Sequence, residues 1–150
     1  MGAVRRSHHN VYQIHYHIVT PVKYRRVIFD KPDREQYLRH IARGIEERYS
    51  IVFEKIGLDQ DHVHWLVSAA PKYAPSAVVR VIKSIMGREM FRKFPEIRED
   101  LWGGELWSDA FYIGTVGEGG NKRVIEEYVE KQGKKRQRES NQLKLFDPLR

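Results

Sequence analysis

No cysteine occurs anywhere in the chain. Disulfides, thiolate metal sites and cysteine nucleophiles are therefore excluded, and any metal must be held by nitrogen and oxygen. Long apolar runs are missing as well, none approaching the roughly 20 residues that a membrane helix needs. The opening MGAVRRSHHN has no apolar stretch of the kind a secretory signal carries, so no signal is expected. No Walker-type phosphate loop is present, and GEGGN at 117–121 does not follow that pattern. There is no internal repeat. Acidic residues are in the minority: 20 Asp and Glu against 27 Lys and Arg leave a formal charge of +7. That balance favours a polyanionic partner. What is present, 150 residues at 41% hydrophobic and 31% charged, suits one globular domain. Such a domain buries roughly two thirds of its unfolded surface.

Six segments follow from hydrophobic period and turn residues. VYQIHYHIV (11–19) is β-branched and aromatic and reads as a strand. A helix follows, opened by Pro32, with Asp33 and Gln36 at capping-box spacing, and ends near Tyr49. IVFEKIGLD (51–59) and HVHWLVSA (62–69) are strands joined by a short polar turn. A second helix runs from Pro75, with Val78, Ile82, Ile85 and Met86 on one face, and Pro95 stops it. After a linker around LWGGEL, SDAFYIGTV (108–116) is a fourth strand. The order β-α-β-β-α-β is the split-βαβ pattern, α+β and ferredoxin-like. Right-handed crossovers put the first strand beside the third and both helices on one face of an antiparallel sheet. Beyond it, KRVIEEYVEKQ (122–132) forms an extra helix, available to cover the open face.

Alternation puts His62, His64 and Leu66 on one face of their strand and Val63, Trp65 and Val67 on the other. The large apolar set belongs under the helices, so the histidines look out of the open face. Imidazoles at i and i+2 lie roughly 6.5–7 Å apart along a strand and can converge on one cation. His15 and His17 repeat the spacing on the adjacent strand, and spacing alone does not choose between the pairs. On the last helix Val124, Ile125, Tyr128 and Val129 form an apolar stripe, with Gln132 one turn beyond Tyr128. A tyrosine hydroxyl beside a divalent cation suits attack on phosphate, and an amide oxygen suits a third ligand.

These features together resemble the HUH nuclease superfamily and, more narrowly, the single-tyrosine transposases of the IS-two-hundred type of insertion sequence. The likeness rests on YHIVTPVKYRR (16–26), DHVHWLVSA (61–69), the block from Met90 to Glu118, and EEYVEKQ (126–132). Gln60 departs from it, standing where the family often has proline. The resemblance selects His62 and His64 over His15. It implies that His62, His64 and Gln132 hold Mg²⁺ or Mn²⁺ and that Tyr128 attacks single-stranded DNA, leaving a 5′-phosphotyrosine and a free 3′-hydroxyl. It also implies a cytoplasmic homodimer with sites shared between subunits, Gly117, Gly119 and Gly120 acting as the hinge, and a DNA hairpin as substrate. Lys23, Arg25, Arg26, Lys83 and Arg88, with His17, are the candidate DNA contacts.

The domain is expected to span 1–132. From 133 to 150 the chain turns basic and polar, a composition that does not fold alone. Within it Gln142, Leu143, Leu145 and Phe146 resemble the peptide that bacterial replication proteins insert into the sliding clamp, though Lys144 is atypical. Two other functions compete. One is an HUH nuclease acting on repeated palindromes without transposing. The other is a non-enzymatic ferredoxin-like nucleic-acid module, which leaves His62, His64, Tyr128 and Gln132 unexplained and lacks the RNP1 pattern.

Overall fold

In a computed structural model the described residues are 4–6, 9–117, 126, 127, 129 and 130. The expected first strand divides in two. β2 (Val11–Tyr12) turns back on β1 (Arg5–Arg6) as a small hairpin, and β3 (His15–Pro21) enters the main sheet. After it come α1 (Pro32–Arg48), β4 (Ile51–Leu58), β5 (His62–Ala69), α2 (Pro75–Lys93), α3 (Pro95–Asp100) and β6 (Tyr112–Thr115). The capping box expected of Asp33 and Gln36 does not form. Pro32 already occupies the first turn, so Lys31 is the N-cap and makes no side-chain cap bond. Asp33 and Glu35 still favour the helix, because a first turn carries partial positive charge. Pro95 ends α2 as expected and also starts α3, a helix that sequence period did not reveal. Only residues 112–115 of the expected fourth strand pair with β3. Just upstream, Trp107 bridges Val22 and the Ser108 N–H donates to the Pro21 carbonyl, so this stretch closes the end of the sheet instead.

The sheet order is β4-β5-β3-β6, antiparallel throughout, with β3 and β5 in the middle. The ferredoxin-like architecture is therefore present. Tyr16, Ile18, Val63, Trp65 and Val67 face α1 and α2 and pack with Leu38, Ile45, Ile82 and Met86. Trp65 is fully buried, and its indole N–H donates to the Thr20 hydroxyl at 2.9 Å, which meets the cost of burying that donor. Among the described residues no helix is long and apolar enough to cross a membrane.

The opposite face carries the histidines, and it is covered. His15 and His17 are 2% exposed, and His62 and His64 are fully buried. Residues 126, 127, 129 and 130 are helical, and Val129 is fully buried. The Val129 carbonyl lies directly against Gly57, where a Cβ would overlap it. One residue on, Glu130 accepts a hydrogen bond from Lys55 Nζ at 2.8 Å, which raises the lysine pKa above its ordinary value. A glycine on the strand is what lets this backbone come so close.

Candidate active site

Register brings the two central strands' histidines together. His17 pairs with Leu66 and Val19 with His64, so His17 lies diagonally beside His64 on the same face. His17 Nε2 and His64 Nδ1 are 3.1 Å apart, the rings nearly parallel with centroids 5.3 Å apart. The His62 and His64 rings meet edge to face at 5.0 Å. Each ligating candidate thus has one nitrogen engaged from behind. For His62 the partner is Asp61, whose carboxylate accepts from Nδ1 at 2.8 Å and in turn accepts from Arg25 Nε at 3.2 Å. The Nε2 of His62 is buried and has no hydrogen-bond partner among the described residues. The buried Asp59 carboxylate stands 3.9 Å from that nitrogen.

Burial governs the charge of these groups. Desolvation, followed by the proximity of His62 and His17, holds His64 well below its ordinary pKa of 6.5. Desolvation alone lowers His17 to about 4. Both are neutral imidazoles at physiological pH, each with one ring N–H and one nitrogen lone pair. His15 is committed elsewhere. Its Nδ1 lies 2.8 Å from Glu54, which also pairs with Arg5, so it belongs to a structural ion cluster at the far end of β3. His62, His64 and His17 adjoin one another, and His15 lies apart from them with Glu54.

The IS200-like transposase model matches residues 10–132. The chain belongs to the IS200-like transposase family. It is 35% identical over 122 residues to the ISDra2 transposase TnpA of Deinococcus radiodurans, a match covering 81% of this chain and 86% of the relative. It is 26% identical over 132 residues to the transposase for insertion sequence element IS200 of Salmonella typhimurium, covering 88% and 85%. Among solved structures, a Deinococcus radiodurans R1 protein assigned as a transposase superposes with a TM-score of 0.67 at 28% identity, over 86% of this chain and 98% of that one. A REP-associated tyrosine transposase bound to a REP hairpin shares the fold, with a TM-score of 0.57 at 15% identity over 86% and 70% of the two chains. Membership makes this transposase-family chain a DNA-cleaving and strand-transferring enzyme.

The remaining expected residues of this IS200-like chain fall into four groups. Tyr128, Gln132, Gly119, Gly120 and the tail segment Gln142, Leu143, Leu145 and Phe146 lie outside the described residues, while Gly117 is exposed just after β6. Arg26 is exposed, and Lys23 and Arg25 are half-buried, with Arg25 held by Asp61. Lys83 is turned inward, donating to the Ser108 carbonyl at 2.8 Å, and burial lowers its pKa. With the more exposed Arg88 it lines a groove of about 590 Å³ beside Trp107 and Phe111. His17, a candidate DNA contact, is 2% exposed in the chain by itself and stands beside His64.

Among the described residues no group of three His, Asp or Glu could hold a metal. A cation held by His62 and His64 would need a further ligand from outside that set, and Gln132 is the expected one. The donors present fit a cation, since a buried, orphaned imidazole nitrogen is otherwise costly and the donor set is nitrogen and oxygen. Sequence reasoning missed the supports: Asp59, Arg25 as a partner of Asp61, and His17 as a partner of His64. It also missed Tyr112, whose ring meets His17 edge-on at 5.8 Å and lies over Gly114, where a Cβ would crowd its hydroxyl. Gly114 is the register partner of His17, and that pairing is not legible along the chain.

Proposed function

We propose that this chain cleaves and rejoins single-stranded DNA at insertion-sequence ends through a 5′-phosphotyrosine at Tyr128. The observation that supports it most is the back-supported histidine pair lying beside the seat of Val129. Gly57, on which Val129 rests, is the register partner of His64, and Tyr128 is the residue before Val129 in the chain. His62, His64 and Gln132 would hold Mg²⁺ or Mn²⁺, which when bound polarises a non-bridging phosphate oxygen. Asp61 accepts the Nδ1 proton of His62 and so directs the Nε2 lone pair inward. Tyr128 Oη then attacks phosphorus and loses its proton. The P–O3′ bond breaks, the departing oxygen takes a proton as the 3′-hydroxyl, and attack by a 3′-hydroxyl on the phosphotyrosine reverses the step. Each transesterification replaces one phosphodiester by another, so no nucleotide cofactor is required.

The substrate we propose is a single strand folded into a hairpin at each element end, and the working unit a homodimer that exchanges the tyrosine segment. Exchange preserves every contact between that segment and β4, only between copies. A denaturant-resistant protein–DNA adduct is expected when the protein meets such a strand with Mg²⁺ or Mn²⁺. Chelation should abolish the adduct without releasing the hairpin. Adduct formation at full yield in excess chelator would overturn the metal assignment, and no adduct under any metal would overturn the reading.

The His17 contact leads to a separate expectation. If His64 Nδ1–H donates to His17 Nε2, His17 fixes the tautomer that leaves His64 Nε2 a lone pair. His17→Ala should then weaken Mn²⁺ binding by about 10–100-fold, as read by calorimetry or paramagnetic resonance. Hairpin affinity should not change, and His15→Ala should leave Mn²⁺ binding close to wild type. Equal Mn²⁺ affinities for His17→Ala and wild type would remove His17 from this role.

A further inference from the structure

Two loops far apart in sequence place exposed aromatic rings side by side beside the candidate active site. Tyr24 is 58% exposed and Trp102 is 74% exposed, with ring centroids 5.4 Å apart. Their cationic neighbours are stacked on them: the Arg26 guanidinium lies 5.2 Å from the Trp102 ring, and Lys23 Nζ lies 5.5 Å from the Tyr24 ring. Both rings sit on left-handed backbone. Tyr24, Arg25 and Trp102 have φ of 60°, 53° and 57°, the three non-glycine residues with positive φ among those described. Such conformations cost free energy in a residue with a Cβ and persist where the surroundings over-determine them, often at functional sites. Here the surroundings do so. Lys23 N–H donates to the Leu106 carbonyl at 2.9 Å, Arg25 N–H to Val22 at 2.9 Å, Trp102 N–H to Glu99 at 3.0 Å and Gly103 N–H to Arg98 at 2.8 Å.

Folding thus holds two large rings in water at the expense of strain, with nothing of the core to gain from them. The pair is also wired to the site: Arg25, next to Tyr24, pairs with Asp61, the partner of His62. We propose that Tyr24 and Trp102 form a stacking platform for unpaired bases of the DNA strand next to the cleavage position, with Lys23 and Arg26 meeting its phosphates. The occupant follows from the chemistry. Exposed π faces take up only bases that have left a double helix, and a cationic rim favours a polyanion over a second apolar protein surface. The inference deepens the proposed function, since it rests on a single-stranded substrate.

The test uses the full-length protein and a short oligothymidylate without a hairpin. Binding of an end-labelled oligothymidylate is read by fluorescence anisotropy, which needs no tryptophan and so serves every variant. In the wild type, quenching of tryptophan fluorescence should report mainly on Trp102, since Trp65 is fully buried and Trp107 is 3% exposed. Tyr24→Ala and Trp102→Ala should each weaken oligothymidylate binding by about 5–150-fold, the range set by loss of one stacked base. Trp102→Phe should retain most of the affinity, and binding of a blunt hairpin duplex should not change. Trp102→Gly, which also relieves the backbone strain, should lose the single strand while melting no lower than wild type. Unchanged oligothymidylate affinity, or equal losses for single strand and duplex, would overturn the platform. So would dissociation of a dimer on Trp102→Ala, measured by light scattering, because the occupant would then be a second copy. Adduct formation at Tyr128 is scored separately: an adduct with no platform effect sinks this inference alone, and a platform effect with no adduct sinks the catalytic reading alone.

Discussion

Tyr128→Phe is expected to abolish the covalent protein–DNA adduct while hairpin affinity stays at the wild-type level. The substitution removes one oxygen and keeps the ring, so the apolar stripe with Val124, Ile125 and Val129 is preserved. Without Oη no bond to phosphorus forms at this position, and the histidine pair has no nucleophile to serve. Cleavage should fall by at least about a thousandfold, or ~4 kcal/mol at 1.36 kcal/mol per factor of ten. Denaturing electrophoresis of end-labelled DNA reads the adduct directly, and an adduct formed by Tyr128→Phe would assign the nucleophile to another side chain. The same variant tests active-site sharing. Mixed with His64→Ala subunits, it should recover cleavage at one of two sites, because one composite site then has both its tyrosine and its histidines. Failure to recover would mean that the site is built within one chain, as the contact of Val129 with its own Gly57 equally permits.

Gly57→Ala is expected to cost about a hundredfold in activity, from a methyl group that touches no substrate. A Cβ at this position overlaps the Val129 carbonyl oxygen, a backbone atom that cannot rotate away. The segment must shift, carrying with it the residue before Val129, which is Tyr128. A displacement of about 1 Å at a reacting group costs on the order of a hundredfold in rate. The strand itself should tolerate the change, since glycine is a poor strand residue and alanine a somewhat better one. Thermal stability and hairpin binding should therefore hold while cleavage falls about a hundredfold, with faster amide exchange at residues 126–130. Wild-type cleavage and wild-type exchange in Gly57→Ala would show that the close approach is not needed for chemistry.

Local sequence carried more of this protein than is usual. Alternation along HVHWLVSA was enough to put His62 and His64 on one face and Trp65 on the other, because a strand's period is a property of its own backbone. The order of elements, joined by right-handed crossovers, was enough to place β3 beside β5. The helices were legible from their apolar spacing and their prolines, apart from α3, which is too short at six residues to show a period.

Tertiary structure decided the rest, for reasons of register and approach. Whether His15 or His17 would meet the His62–His64 pair depends on how β3 slides along β5: a two-residue slip would set His15 beside His64 in place of His17, and a one-residue slip would turn both to the other face. The bond between Arg25 and Asp61 and the seating of Val129 on Gly57 join residues whose own neighbours say nothing of one another. Gly57 reads in sequence as a weak point in a strand, and only the carbonyl lying against it gives the missing side chain a purpose. Tyr24 and Trp102 are the clearest case. Their left-handed backbones run against intrinsic preference and are imposed by hydrogen bonds to Val22, Leu106 and Glu99, so no local pattern announces them. Side-chain identity and period are written along the chain, but which groups share a desolvated site is fixed by packing between segments remote in sequence.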